Sequence, residues 1–442
     1  RNRNNMLNSK LTIEQKIPFI PGLALKGAIA YNKNYVLGKT WTLPVTFYAL
    51  NADDEMVPTQ SGPPAPRLSQ SFQDNQRLIT QAYILYERSF GKHSINALGV
   101  METQKGQTQQ FSAGRINYAV ELDELNSGSS NKEDMENGGV SRNSAQVGWL
   151  YQLNYGFANK YLVGLSGRYD GHYYFAPGER YAFFPAFSLG WNLAEEHFIK
   201  NNYPWIDYLK LRGSYGISGN LAGDPFQYLV SYGLGDSYIF GGTSPQQVQG
   251  IFENAQANPS ITWETAKKTN IGLEGTLWRG KLGFSVDVWR ESRSDMLIKP
   301  EAVVPEEYGI EVSEVNAGIM HNRGIDVSLT TAQRFANGIR FNAAFNFSFA
   351  RNKVIQTFEN ASTFNNPNRR RTGRPWNSQF GLLALGLYQE EDFEADGVTL
   401  KPGLPVPSYG PVRPGDIKYA DLAGPAGPDG KPTAPDGIIN AN

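Results

Sequence analysis

The 442-residue sequence sets 41 Lys and Arg against 42 Asp and Glu, a formal net charge of −1, so no overall field draws it to nucleic acid. It has no cysteine, which excludes disulfide frameworks, thiolate zinc sites and a cysteine nucleophile. Four scattered histidines, at 93, 172, 197 and 321, make no histidine-rich metal site, and no run of about 18 apolar residues offers a transmembrane helix.

The length suits two or three ordinary domains or one very large one, and the patterning along the chain favours the second. Arg1 to Ile17 reads as a strand. Leu23, Leu25, Gly27, Ile29 and Tyr31 then form one face of a period-two segment. Further on, Trp149, Tyr151, Leu153, Tyr155 and Phe157 repeat the pattern, followed at once by Tyr161, Val163, Leu165, Gly167 and Tyr169. In a strand successive side chains point to opposite faces. The last segment therefore has an oily face ended by tyrosines and a second face carrying Ser166, Arg168 and Asp170. Tyr181 to Asn192 alternates likewise; Leu193 to Tyr208 breaks the pattern and reads as one or two helical turns. Leu209, Leu211, Gly213 and Tyr215 alternate with Lys210, Arg212 and Ser214. Leu282, Phe284, Val286 and Val288 alternate with Gly283, Ser285 and Asp287, and Phe341, Phe345, Phe347 and Phe349 with Asn342, Asn346 and Ser348.

Roughly a dozen such segments occur, many longer than the usual soluble strand of about 5 or 6 residues. Tyr161 to Tyr169 spans roughly 26 Å along a strand, or about 20 Å of height at a tilt of about 40°. That is close to the apolar band of a membrane strand. Connections alternate too. Short turns fall at Pro18 to Gly22, Phe90 to Lys92, Ala158 to Lys160, Arg279 to Lys281 and Arg334 to Gly338. Long polar stretches, expected as loops, lie at about 33–75, 106–142, 218–262, 299–315 and 354–375. The expectation is an all-β, antiparallel transmembrane β-barrel with long loops at the cell surface and short turns in the periplasm.

Several segments also carry a family resemblance. "NKYLVGLSGRYDG" (Asn159 to Gly171), "FPAFSLGWNLAEEHF" (Phe184 to Phe198) and "LKLRGSYGISGN" (Leu209 to Asn220) are similar to the central block of the SusC/RagA-like TonB-linked outer-membrane proteins. "NPSITWETAKKTNIGLEG" (Asn258 to Gly275), "NAGIMHNRGIDVSL" (Asn316 to Leu329), "FARNKV" (Phe349 to Val354) and "PGDIKYADL" (Pro414 to Leu422) continue the same order. The resemblance implies a multi-pass outer-membrane location of the Bacteroidetes type and a large barrel of about 22 strands around an N-terminal plug. It also implies a SusD-like surface lipoprotein as lid, a TonB complex reached through the plug region, and import of an oligosaccharide or peptide. It implies no cofactor and no enzyme activity. Residues 1–442 are expected to form a barrel fragment, without the plug and without the last strands. A passive outer-membrane pore or structural membrane component is the alternative.

Individual motifs read more plainly. The basic run Asn368 to Arg374 is a solvated loop rather than a nucleic-acid track, since no interleaved aromatics accompany it. Asp416, Asp421, Asp429 and Asp436 lack the spacing of a calcium loop, so no metal is expected. His172 lies two residues from Asp170, but no nucleophile stands at a recognisable spacing from them. For ligand contact the candidates are Phe226, Tyr228, Tyr232 and Tyr238, within the aromatic-rich stretch from Gly219 to Pro259. Aromatic rings there are expected to stack on sugars, grip peptide side chains, or pack against the lid or the membrane surface.

Overall fold

The computed structural model describes residues 1–442 except 52, 53, 243, 244, 301–303, 337, 429, 441 and 442. The strands are β1 (Asn2–Lys16), β2 (Leu23–Thr42), β3 (Val45–Leu50), β4 (Met56–Ser61), β5 (Arg67–Phe90), β6 (His93–Ile116), β7 (Met135–Phe157), β8 (Tyr161–His172) and β9 (Tyr181–Asn192). After a short helix α1 (His197–Lys200) come β10 (Ile206–Asn220), β11 (Tyr232–Phe240), β12 (Gln246–Glu253), β13 (Glu264–Leu277), β14 (Leu282–Ile298), β15 (Val315–Arg334) and β16 (Arg340–Gln356). Twelve of them form an antiparallel meander in the order β1-β2-β5-β6-β7-β8-β9-β10-β13-β14-β15-β16, while β3–β4 and β11–β12 are separate hairpins. The chain divides into two compact units, residues 1–155 with 165–173, and residues 156–164 with 174–442.

In the first unit the register places Leu25 opposite Ile84, Gly27 opposite Ala82 and Ile29 opposite Thr80, and Ala82 in turn opposite Met101. This face is apolar and open: Ile29 is 53% exposed and Ile84 58%. Its reverse carries Gln81, whose amide donates to Glu102 and accepts the Tyr83 hydroxyl at 2.7 Å. A one-residue change of register would exchange the two sets.

The second unit repeats the division across five strands. Leu211, Leu273, Val286, Val327 and Phe347 share one rung, and Arg212, Gly272, Asp287, Asp326 and Ser348 share the next on the opposite face. The polar rungs are internally paired. The Arg212 guanidinium donates to Glu274 (3.2 Å) and Asp287 (2.8 Å), and the Trp289 indole donates to Asp326 at 2.7 Å. Oily side chains on one face and paired charges on the other suit lipid outside and a polar interior.

The short turns fall where the spacing placed them. Ala158 and Asn159 have φ of 53° and 57°, and the Lys160 amide donates to the Phe157 carbonyl at 2.9 Å, the two-residue geometry that matches strand twist. The segment from Leu193 contains a 3-10 turn followed by α1. Glu196 beside it accepts Lys160 (3.1 Å), the Tyr161 hydroxyl (2.8 Å) and the Trp191 indole (3.1 Å). Trp205 and Trp278 stack at 5.6 Å at the same strand ends, as an interfacial aromatic girdle requires.

The long connections correct the expected boundaries. The stretch 33–75 is strand at both ends, because β2 runs to Thr42 and β5 begins at Arg67, and the β3–β4 hairpin occupies most of the rest. β6 and β7 likewise shorten 106–142, and β11–β12 fill part of 218–262. The physical reason is that ladder hydrogen bonds do not depend on apolar side chains. Above the apolar band the strands continue through polar residues such as Asn34, Asn75 and Thr108, aligned across three strands.

Candidate functional site

The second unit gathers its long connections through a set of polar ties. Glu264, only 6% exposed, opens β13 and accepts the Asn220 side-chain amide at 2.7 Å and the Leu297 backbone amide at 3.0 Å. The ends of the 221–263 connection are thereby held to each other and to β14. Near the top of β14 the register slips between Arg293 and Met296, and Asp295 takes φ 57°. Such a bulge re-aims the backbone. Its carbonyl accepts the Asn316 side-chain amide at 2.8 Å. Asn316 also donates to the Thr262 carbonyl (2.9 Å) and accepts the Thr262 amide (2.9 Å).

Further ties run beyond Asn316. The Gln227 side chain donates to Glu314 at 2.9 Å, and Asn258 donates to the Glu314 carbonyl at 2.8 Å. The Gln256 amide donates to the Glu311 carbonyl at 2.8 Å. On the other side Trp263 packs between Phe175 (5.4 Å) and Phe184 (5.5 Å) and donates its indole to the Arg180 carbonyl at 3.0 Å. Three connections of this unit, 174–180, 221–263 and 299–314, are therefore fastened to a common base. Satisfying buried backbone groups with side-chain amides is what fixes loops that lack a ladder of their own.

The sequence candidates stand on this base. Phe226 occupies φ 66°, is 43% exposed and lies 6.2 Å from the Tyr228 ring. Tyr232 begins β11 and Tyr238 lies near its end, at 66% and 71% exposure, with Tyr238 6.2 Å from Phe240. The four thus fall into the Phe226–Tyr228 pair, the Tyr238–Phe240 pair and Tyr232 at the hairpin's root. Around them Leu234, Ile239 and Ile251 are also exposed. A lone two-stranded hairpin is marginal in water, and an exposed apolar surface of this kind marks an interaction site. The tying residues Asn316, Glu264 and Gln227 escape sequence reading. Their partners lie 21 to 87 positions away, and the only local signal is an Asn beside a strand start.

Other polar groups serve local structure. The Arg168 guanidinium binds Asp170 through two hydrogen bonds of 2.8 and 3.0 Å, which takes the carboxylate from any role beside His172. Burial opposes ionisation of Glu359, yet the Thr372 hydroxyl and the Arg371 and Thr372 amides hold its carboxyl below the ordinary range. In the same basic run Arg370 lies over Phe364 at 5.8 Å and Arg374 over Phe380 at 5.5 Å. Asp416, Asp421 and Asp436 each accept a nearby backbone amide, and Asp429 lies outside the described residues. Among the described residues no three acidic or histidine side chains converge on a metal position.

The Asp396 turn gives a pH test. The Thr399 hydroxyl, then the Thr399 and Val398 amides, draw its carboxyl from the ordinary 3.8 down to about 2. A depressed folded pKa contributes stability above the unfolded value and loses it as pH falls through the folded one. The Val398 and Thr399 amide chemical shifts are expected to hold steady above about pH 5 and to move toward unstructured values between about pH 4 and 2. Asp396→Asn should abolish that transition.

The sequence model described as "TonB dependent receptor-like, beta-barrel" matches residues 22–435. TonB-dependent receptor P3 of Formosa agariphila is 27% identical over 363 residues, 80% of this chain and 35% of that protein. TonB-dependent receptor SusC of Bacteroides thetaiotaomicron is 24% identical over 367 residues, 80% of this chain and 33% of its own length. The chain thus spans about a third of these relatives. In fold it is similar to the structure described as the RagAB peptide transporter, with a TM-score of 0.71, 20% identity and coverage of 88% of this chain and 41% of the other. With its antiparallel meander, its lipid-suited and polar faces and its aromatic girdle, the chain belongs to the TonB-dependent receptor-like β-barrel family, whose members are outer-membrane transporters and receptors and not enzymes.

Proposed function

We propose that residues 1–442 are barrel wall of a full-length receptor that imports an oligomeric nutrient, glycan or peptide, across the outer membrane. A plug carried by the full-length receptor gates the barrel and couples it to TonB. A SusD-like surface lipoprotein closes the long-loop end. One observation supports this reading above the others: an exposed aromatic hairpin, β11–β12, held on a base of tied loops in the second unit. A passive pore needs loops that stay out of the way, whereas a lid needs a fixed apolar seat with a wet polar rim. The structure that this chain resembles in fold is described as that of the RagAB peptide transporter, in keeping with a peptide as one of the two cargo classes.

Phe226, Tyr228, Tyr232 and Tyr238 are proposed to contact the lid or the ligand trapped beneath it. The test is mild-detergent purification of the full-length receptor with and without residues 222–257, followed by mass spectrometry. A surface lipoprotein is expected near stoichiometry with the intact receptor and is expected to be lost, together with nutrient uptake, on deletion. No lipoprotein in either preparation and unchanged uptake would transfer support to the passive pore.

A further inference from the structure

The apolar face of the first unit is grooved. Gly27, Ala82 and Gly99 leave its floor low between Ile13 and Ile29 on one side and Ile84 and Met101 on the other. Two adjoining grooves of about 300 and 710 Å³ result, both touched by Ile13, Gly27, Ala82 and Met101. A Cβ added to Gly27 or Gly99 would meet nothing within 4 Å. The floor is open, and its apolar lining suits hydrocarbon chains.

Directly above, away from the short turns, the same face changes character. Thr103 borders the groove, and the next residue of β6 on that face is Lys105, opposite Leu78. Lys105 is exposed and has no acidic partner among the described residues. On the adjoining rung Lys33 is taken by Asp74 at 3.1 Å. Higher still, one rung carries Arg3, Leu37, Phe72 and Phe111. Phe72 lies 5.2 Å from Phe111, which is 58% exposed, and 6.5 Å from Tyr35. Arg3 is exposed and also lacks an acidic partner among the described residues. From Leu78 to Phe72 is roughly 20 Å along the strand, or about 15 Å of height at a tilt of about 40°.

We propose that this face seats an outer-leaflet lipid whose headgroup is a phosphorylated saccharide. Its acyl chains lie in the glycine-floored grooves. Lys105 meets a phosphate at the edge of the apolar band, the level at which a basic side chain reaches the headgroups. Phe72, Phe111 and Arg3 face the saccharide above. The occupant follows from continuity: the aromatic rung lies on the lipid-facing side of the wall, one strand direction beyond the groove. A second copy of the chain fits poorly. A two-fold contact would bring unpaired cations against themselves, and the one carboxylate nearby, Asp74, is already engaged.

The proposal rests on the long-loop end facing the cell exterior. Cysteines placed at Ser127 and Asn159 of the full-length receptor in intact cells test that premise separately: an impermeant label should mark the first and spare the second. The reverse pattern puts the headgroup band in the periplasm and overturns the proposal at its premise.

The lipid claim is tested on full-length receptor extracted from its outer membrane in mild detergent, with retained lipids identified by mass spectrometry. Phosphorylated saccharide lipid, measured against a lipopolysaccharide standard, is expected to accompany the unaltered protein. Retention should fall about tenfold in Lys105→Glu, which turns one attraction into a repulsion. It should also fall in Gly99→Leu, which fills the groove while keeping the charge. Ordinary phospholipid should stay the same in all three. Equal saccharide-lipid retention in all three, phospholipid alone in the unaltered protein, or a lipid-free dimer joined through this face would each contradict the proposal.

Discussion

Phe345→Arg is expected to cost about 2 to 4 kcal/mol when the full-length receptor folds into lipid vesicles, whereas Asn346→Arg should cost well under 1 kcal/mol. The two positions are adjacent, and the pleat alone separates them. Phe345 is 57% exposed and shares a rung with Leu329, Phe284, Gly275 and Leu209. Phe284 lies across Gly275, so that a Cβ there would meet its ring at 2.6 Å. An Arg at 345 places a guanidinium in hydrocarbon beside these groups. At 346 it joins Ser328 on the face that already carries Arg212 and Asp287. Equal costs at the two positions would mean that the faces are assigned wrongly.

Asn316→Ala should loosen the tied loops without melting the wall. The substitution leaves the Thr262 amide and the Thr262 and Asp295 carbonyls without their partner, at a cost of about 1 to 3 kcal/mol. The strands keep their ladders, so the effect should concentrate in 221–263 and 299–314. Limited proteolysis is the readout, with cleavage expected to move from resistant to rapid within those stretches and to stay slow in β13–β15. Asn316→Asp, which keeps one acceptor, should fall between. Unchanged loop protection in Asn316→Ala would show that the hairpin's base is held by something else.

Parity was the most legible feature of this protein. Leu209 and Leu211 against Lys210 and Arg212, or Phe345 and Phe347 against Asn346 and Ser348, fall on the faces that period two assigns. A two-state pattern repeated over many rungs leaves little room for another register. Turns were legible for a similar reason, since Ala158 and Asn159 sit between two runs that end abruptly. Strand ends at the polar side were not. Asn32, Asn34, Asn75 and Thr108 look like loop residues, yet they lie within paired strands. Side-chain polarity reports the environment, and the environment changes at the membrane edge while the ladder does not. The fastening of the loops was hidden for a different reason. Gln227 meets Glu314, and Thr262 meets Asn316, only after β13 and β14 have folded between them. The candidate rings Phe226, Tyr228, Tyr232 and Tyr238 were legible as a composition, and their division into pairs depends on the backbone turn at Phe226 and on the hairpin register.

The central claim is that one face of this sheet meets lipid and the other a polar interior, and spin labels at neighbouring positions of β16 test it most directly. Phe347 and Ser348 stand side by side on opposite faces, beside Val327 and Asp326 respectively. With the full-length receptor in vesicles, a nitroxide at 347 should collide mainly with oxygen, which concentrates in hydrocarbon, and a nitroxide at 348 mainly with a water-soluble nickel chelate. Similar accessibility at the two positions, or the reverse order, would contradict the account.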